Sequence, residues 1–261
     1  MFSGIKPMNS KNFLTINKLS DKINFGFFKS KGGVSKKSFY SLNCSKSVGD
    51  NIKNVEKNIK IALNDLLISN KKIKLINQVH SNKIFLISKN NLNKKFFGDG
   101  LVTSDKNIAI GVLTADCAPI FLFDIKKNLI CCLHAGWKGA LTNICKKGLE
   151  IFINKKIKKK NIIVIIGPCL GFKNFEVDKE FKLKFIKKDP AYFKFFKNKN
   201  KNKDIFDLRG LLNFQINAEG IKNIYNIRKD TYKHSRDFFS HRRITHQKKS
   251  KTGRMINIIS F

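Results

Sequence analysis

The chain has 261 residues, 42% of them hydrophobic, with 4 Pro and 16 Gly; that is enough for one large domain or two small ones and excludes a disordered chain. No window approaches the roughly 18–20 uncharged apolar residues of a membrane span, and residues 1–20 carry lysines with no apolar signal core behind them, so the expectation is a cytoplasmic protein without a membrane anchor. The formal charge of +35 invites a nucleic-acid partner, but 47 of the 53 basic residues are Lys scattered along the chain, whereas a nucleic-acid binder concentrates its charge and interleaves aromatics; the spread reads as a Lys/Asn compositional bias, and nucleic acid is not expected as a partner.

In chain order, the apolar run from Ile23 to Phe28 leads into the turn signal Lys31-Gly32-Gly33, an early strand and loop. Asp50 offers an N-cap, and behind it Ile52, Val55, Ile59, Leu63 and Leu66 recur at spacings of three and four, one apolar helix stripe. Ile73 to Val79 and Ile84 to Ile87 flank His80-Ser81-Asn82, and Ile108 to Leu113 and Ile130 to Leu133 are two further apolar runs; all four read as buried strands. A second helix is predicted from about Gly139 to Ile153 with Ile144, Leu149 and Phe152 inward, followed by a β-branched run from Ile162 to Ile166 that ends at Gly167-Pro168. Between Phe181 and Phe206, Asp189-Pro190 interrupts a Lys- and Phe-rich segment, read as helix, break, then surface loop. A third helix starts at Asp207, carries Leu208, Leu211, Leu212 and Ile216 on one face and stops at Gly220. Strands and helices alternate without a long linker or repeat, so residues 23–261 are expected to form one α/β domain preceded by an N-terminal extension, residues 1–22.

Six Cys are too sparse for a disulfide scaffold, and the thiols are read as reduced. Three soft ligands sit just past the ends of apolar runs: His80, Cys117 and His134. Strand ends are where ligands bind in open α/β sheets. One thiolate and two imidazoles suit Zn²⁺ and leave a fourth position open, where a metal lowers the pKa of water from 15.7 to about 7. Spacing alone leaves the ordinary alternative open, in which the two His are hydrogen-bonded loop residues and Cys117 a small hydrophobe. Cys44, Cys131, Cys132 and Cys145 lie within apolar or helical patterns and read as core.

The segments Gln78-Val79-His80, Gly98-Asp99-Gly100-Leu101-Val102-Thr103, Thr114-Ala115-Asp116-Cys117-Ala118-Pro119, His134-Ala135-Gly136-Trp137-Lys138-Gly139 and Ile166-Gly167-Pro168-Cys169 follow in this order, and Phe238-Phe239-Ser240-His241-Arg242-Arg243 and Thr252-Gly253-Arg254 close the chain. Together they resemble the YfiH family, also called laccase-domain or multicopper polyphenol oxidase-type proteins, from about Phe25 to the end. The resemblance implies a single layered α/β domain with a mixed β-sheet core flanked by helices, and a zinc site made by His80, Cys117 and His134. It also implies phosphorolysis of purine nucleosides (adenosine, inosine, methylthioadenosine) to base and ribose 1-phosphate, with adenosine deamination besides. The H-x-E plus P-C-x-x-C frame of zinc deaminases that act on bases is absent, so deamination must use another architecture.

Departures from the family pattern are Ser81 for Gly, Lys138 for Arg, His241 for Tyr and Asp230 for Cys, and two family arginines appear as Ser30 and Ile59. Lys does not reproduce the two-pronged grip of Arg on an oxyanion. Arg242, Arg243 and Arg254 are candidate phosphate or substrate clamps, the alternative being carboxylate pairing on a surface strand. Lys138 and Gly139 open a helix after His134 whose backbone N–H groups suit an anion. Asp116 is a candidate base or orienter, or a turn former, and Glu176 a second proton carrier. Three other functions compete: a thiol hydrolase or amidase with Cys117 as nucleophile and His134 as base, acting on cell-wall precursors; a copper-dependent phenol oxidase, since copper also suits these donors; and a basic RNA-binding protein. Nothing in the sequence sets the oligomeric state.

Overall fold

Two six-stranded mixed sheets form in the computed structural model, which describes residues 8–9, 12–16, 19, 23–124, 126 and 129–261. The first runs, in spatial order, β1 (Met8–Asn9), β2 (Phe13–Thr15), β3 (Asn24–Phe28), β15 (Met255–Ser260), β7 (Ile108–Thr114) and β4 (Lys72–Leu75). The second runs β14 (Asn223–Asn226), β10 (Ile163–Ile166), β8 (Ala118–Asp124), β9 (Leu129–Ala135), β6 (Gly100–Thr103) and β5 (Ile84–Leu86). Only β4 with β7, β5 with β6 and β10 with β14 pair in parallel among the described residues. Part of the expected N-terminal extension joins this scaffold: Phe13 and Leu14 pair with β3, and Leu14, Ile16 and Leu19 are buried. The rest of that extension lies outside the described residues, apart from the short β1, Asn12 and Thr15.

Side chains alternate along a strand, so the central apolar runs serve two cores at once. Phe121 and Phe123 on β8 point between the sheets, where Phe121 stacks on Phe27 of β3 at 4.4 Å between ring centroids. Ile120 and Leu122 point the other way, into a core closed by α3 (Ile144–Asn154) and α5 (Leu208–Ala218). The outer face of the first sheet, Ala109, Ile256 and Ile258, is covered by Ala62, Leu63 and Leu66 from α1 (Ile52–Asp65) and the residue after it. The result is four layers, helix on sheet on sheet on helix.

Several predicted elements shift. Asn51, not Asp50, caps α1, accepting from the amides of Lys53 and Asn54; Asp50 instead accepts from Ser35 Oγ at 2.6 Å and Asn43 Nδ2 at 2.9 Å. Ile52 is exposed, so the buried stripe begins a turn later, at Val55. The second helix is two, α2 (Trp137–Leu141) and α3, because Asn143 adopts the left-handed region (φ +54°) and its side chain caps α3 at Lys146 N. After α4 (Lys179–Lys188) the expected surface loop is instead a 3-10 turn, Pro190–Phe195, and a hairpin of β12 (Phe196–Asn198) and β13 (Lys203–Phe206), the latter paired also with β11 (Glu176–Asp178). Phe185, Tyr192, Phe196 and Phe206 are buried there; ring burial overrides the local Lys-rich polarity.

Candidate metal centre

Cys117 lies in the corner Ala115-Asp116-Cys117, where the chain leaves β7 of the first sheet and enters β8 of the second. Asp116 makes the corner with φ +89°, a conformation that non-glycine residues rarely hold without outside support. Its carboxylate supplies that support, accepting from Thr231 Oγ1 at 2.6 Å, Ser240 Oγ at 3.0 Å and Arg242 N at 2.6 Å. Asp116 therefore ties the corner to the C-terminal loop, and both of its oxygens are engaged.

His80 sits five residues beyond β4, also at positive φ (+58°). Two side chains fix its loop. Gln78 pairs with Leu113 like a strand residue, accepting from Leu113 N at 2.7 Å and donating to Leu113 O at 2.8 Å. Asp99, fully buried, accepts from His80 N at 3.0 Å, from Ser81 Oγ at 2.8 Å and from Ser81 N. His134 lies inside β9, one residue before its end, and its Nδ1 is 2.8 Å from Asp99 Oδ1. The strand-end rule thus holds only loosely: the sheets are largely antiparallel, and the three side chains meet where a loop, a corner and a strand converge.

The three ligand atoms lie within 4.8 Å of one another. Cys117 Sγ is 4.0 Å from His80 Nε2, and the two imidazole rings cross at 78° with centroids 4.9 Å apart. Side-chain movements of about 1 Å bring such atoms to metal bonds of about 2.0–2.3 Å. Asp99 also meets a requirement of metal-binding histidines, a carboxylate on the second ring nitrogen that fixes orientation and raises basicity. Burial pushes the Cys117 thiol up, but the His134 and His80 imidazoles outweigh it and bring it well down. Burial disfavours charge on His134, yet Cys117 and Asp99 raise it above its ordinary value. Burial likewise opposes charge on Asp99, but hydrogen bonds from His134 and Ser81 hold its carboxyl below the usual range. A soft thiolate beside two imidazoles, one of them oriented by Asp99, is a donor set that fits Zn²⁺. Gly136 keeps the space open: a Cβ there stands 2.9 Å from Cys117 Sγ.

A cavity of about 640 Å³ opens over this set. Leu75, Ile76, Leu113 and Ala115 give it an apolar wall, and His241 and Arg254 line it beside the three ligands. Arg242 and Arg243, expected as clamps, do not line it. Arg242 Nη1 donates to Glu176 O at 2.7 Å, and Arg243 donates to the carbonyls of Thr231, Tyr232 and Phe238. Lys138 is exposed and lies over the Trp137 ring, and the Glu176 carboxylate pairs with Lys199. The sequence reading assigned no role to Asp99; its signal is an acid set between two glycines, Gly98 and Gly100, in a strongly basic chain. Among the other cysteines, Cys44, Cys131, Cys132 and Cys145 are buried, as expected, and burial pushes each thiol up.

Comparison with known proteins places most of the chain beside a family. Residues 24–261 match the family model described as multi-copper polyphenol oxidoreductase laccase. A Rickettsia prowazekii protein named purine nucleoside phosphorylase is 36% identical over 177 residues, 67% of this chain and 72% of the relative. One of the same name from Haemophilus influenzae is 28% identical over 88% of this chain and 91% of its own length. The crystal structure of Bacillus licheniformis YfiH superposes with a TM-score of 0.90 at 25% identity, covering 100% of both chains.

Proposed function

The chain belongs to the multi-copper polyphenol oxidoreductase laccase family, the YfiH proteins, and from that premise we propose that it is a zinc-dependent purine nucleoside phosphorylase. Its substrates are adenosine, inosine and methylthioadenosine, cleaved by phosphate to base and ribose 1-phosphate, with adenosine deamination as a second activity. The observation that carries the reading is the convergence of His80, Cys117 and His134 within 4.8 Å at a cavity of about 640 Å³, a volume in the range of small-molecule sites. The names of the relatives from Rickettsia and Haemophilus support the substrate class.

His80, Cys117 and His134 hold the cation, which when bound supplies Lewis-acid stabilisation of negative charge. Asp99 keeps His134 Nδ1 engaged, so that Nε2 faces the site. The apolar wall receives the purine and excludes water from its face. In phosphorolysis a phosphate oxygen bonds to the anomeric carbon as the bond to the purine nitrogen breaks, and the electron pair leaves with the base. Arg254 provides a fixed positive charge for the oxyanion, and His241, facing the cavity, passes to the departing purine the proton that the attacking phosphate gives up. Asp116 acts by holding the corner.

The test is to purify the protein under reducing conditions, quantify metals by mass spectrometry, and follow phosphate-dependent release of adenine from adenosine. Cys117→Ala is expected to lose both zinc and turnover; equal zinc content and equal turnover in variant and wild type overturn the reading. One observation favours a second function: Cys117, His134 and Asp99 form a chain of thiol, imidazole and carboxylate, the arrangement of a Cys-His nucleophile. Such a hydrolase keeps its activity when metal is stripped and loses it on alkylation. Copper oxidation draws no support from the donors, since the described residues bring together one such set and coupled multicopper chemistry uses several.

A further inference from the structure

We propose that Lys46 is the movable cation of this cavity, leaving Glu56 to hold the phosphate of the bound substrate together with Arg254; the assignment rests on the phosphorolysis reading. Among the described residues, and imidazoles aside, Lys46 and Arg254 are the cationic residues that line the cavity. They sit on two segments bound to each other: Arg254 N donates to Asn43 Oδ1 at 2.9 Å, and Cys44 N donates to Arg254 O at 3.1 Å. Asn43, fully buried, holds the loop that follows, accepting from Ser45 N at 3.1 Å and donating to Ser45 O at 3.2 Å. The loop therefore presents Lys46 at a fixed place relative to Arg254.

The two cations differ in freedom. Arg254 Nη1 donates to the carbonyls of Thr252 and Gly253, both at 3.0 Å, which fixes its head. Lys46 Nζ is 2.6 Å from Glu56 Oε1, and both side chains are about half exposed (55% and 52%). An exposed pair of this kind is weak, so a phosphate dianion in the cavity, already facing Arg254, displaces the carboxylate from the ammonium. The hydroxyls of Ser45 and Ser47, 3.0 Å apart, line the same end and add donors. The neighbouring wall from α1 contributes Ile59 and no cation, which leaves the charge to the loop.

The experiment uses the full-length, zinc-loaded protein, with adenosine phosphorolysis measured over a range of phosphate concentrations. Lys46→Met is expected to raise the KM for phosphate about tenfold, as for loss of a charge-assisted contact, with kcat and the adenosine KM changed by less than about twofold. Glu56→Gln frees the lysine and lowers the phosphate KM, while Lys53→Met, exposed on α1 and outside the cavity, changes neither. Calorimetric titration with inorganic phosphate alone should rank the proteins identically. If wild type binds phosphate and Lys46→Met binds it more weakly while adenosine is not split, the phosphorolysis reading fails and Lys46 stands. Wild-type phosphate affinity in Lys46→Met, a Glu56→Gln variant as weakened as Lys46→Met, or a wild-type protein that binds no phosphate overturns the proposal.

Discussion

Replacing Asp99 with Asn separates charge from shape at the centre of the site. In the wild type one carboxylate engages His134 Nδ1 at 2.8 Å, His80 N at 3.0 Å, Ser81 N and Ser81 Oγ, and it is fully buried while His134 is only 3% exposed. The amide keeps the volume but offers one acceptor oxygen: in place of Oδ1 it serves His134 and His80 N and turns an NH2 toward Ser81 N, in place of Oδ2 the reverse, so at least one donor loses its partner. Removing one member of a buried ionic pair costs about 3–5 kcal/mol, and losing the carboxylate behind a metal-binding histidine costs about 10–100-fold in metal affinity. The assay is competition with a chromophoric chelator for zinc, run beside thermal unfolding of the metal-free protein. Asp99→Asn is expected to bind zinc about 10–100-fold more weakly and to melt lower even without metal. A variant with wild-type zinc affinity would refute the role assigned to Asp99, whatever its melting temperature.

Gly136→Ala tests the space the site needs: a Cβ 2.9 Å from Cys117 Sγ and 3.1 Å from His80 Cδ2 displaces two ligands, and the metal content of the purified variant should fall well below that of wild type. In metal-free protein, alkylation of Cys117 by iodoacetamide should rise with pH through a midpoint near about 6, well below the about 8.5 of a free thiol, while the buried thiols stay unreactive; a midpoint above 8 refutes the imidazole effect. The same pair contributes stability that is lost as pH falls through about 6, where Cys117 protonates, and as pH rises through about 9, where His134 deprotonates, so the melting temperature of the metal-free protein should be highest between these values and Cys117→Ser should flatten the profile. Asn58, fully buried, donates to Ser35 Oγ, Ser41 O and Asn43 O and accepts from Val34 N; Asn58→Ala takes one partner from each of these four groups, with a loss of about 3 kcal/mol and about 6–12 °C in Tm, measured by calorimetry.

The elements that were legible in the sequence are those whose local pattern and tertiary role agree. The third helix carries its N-cap, its apolar face and its terminating glycine within one stretch, and α5 follows them, with Asp207 accepting from Gly210 N and Gly220 at φ +78°. The three candidate ligands stood out because His80, Cys117 and His134 each follow or close an apolar run, and the structure brings them within 4.8 Å of one another. What remained hidden depends on partners far along the chain. The hairpin of β12 and β13 carries lysines on its open face, and only burial of Phe196 and Phe206 against α4 and the 3-10 turn makes it part of the core. Asn143 breaks a helix pattern that is otherwise continuous; Asn tolerates the left-handed region, but in a chain this rich in Asn its presence alone does not mark a break.

The arginines show the same division in functional terms. Arg242, Arg243 and Arg254 read in sequence as candidate anion clamps, yet Arg242 and Arg243 engage backbone carbonyls of the 174–176, 231–232 and 238 segments. A guanidinium presents up to five donors in a rigid fork, and an ammonium on a flexible stem does not reproduce that pattern; crosslinking of carbonyls therefore calls for Arg, as phosphate binding does. Arg254 differs from its neighbours in lining the cavity, although its Nη1 also binds carbonyls. Arginine identity alone thus marks a place where fork geometry is needed, and the cavity decides which fork meets a ligand. Lys46 completes the contrast, because a ligand charge that must be gripped and released favours the side chain with the freer head.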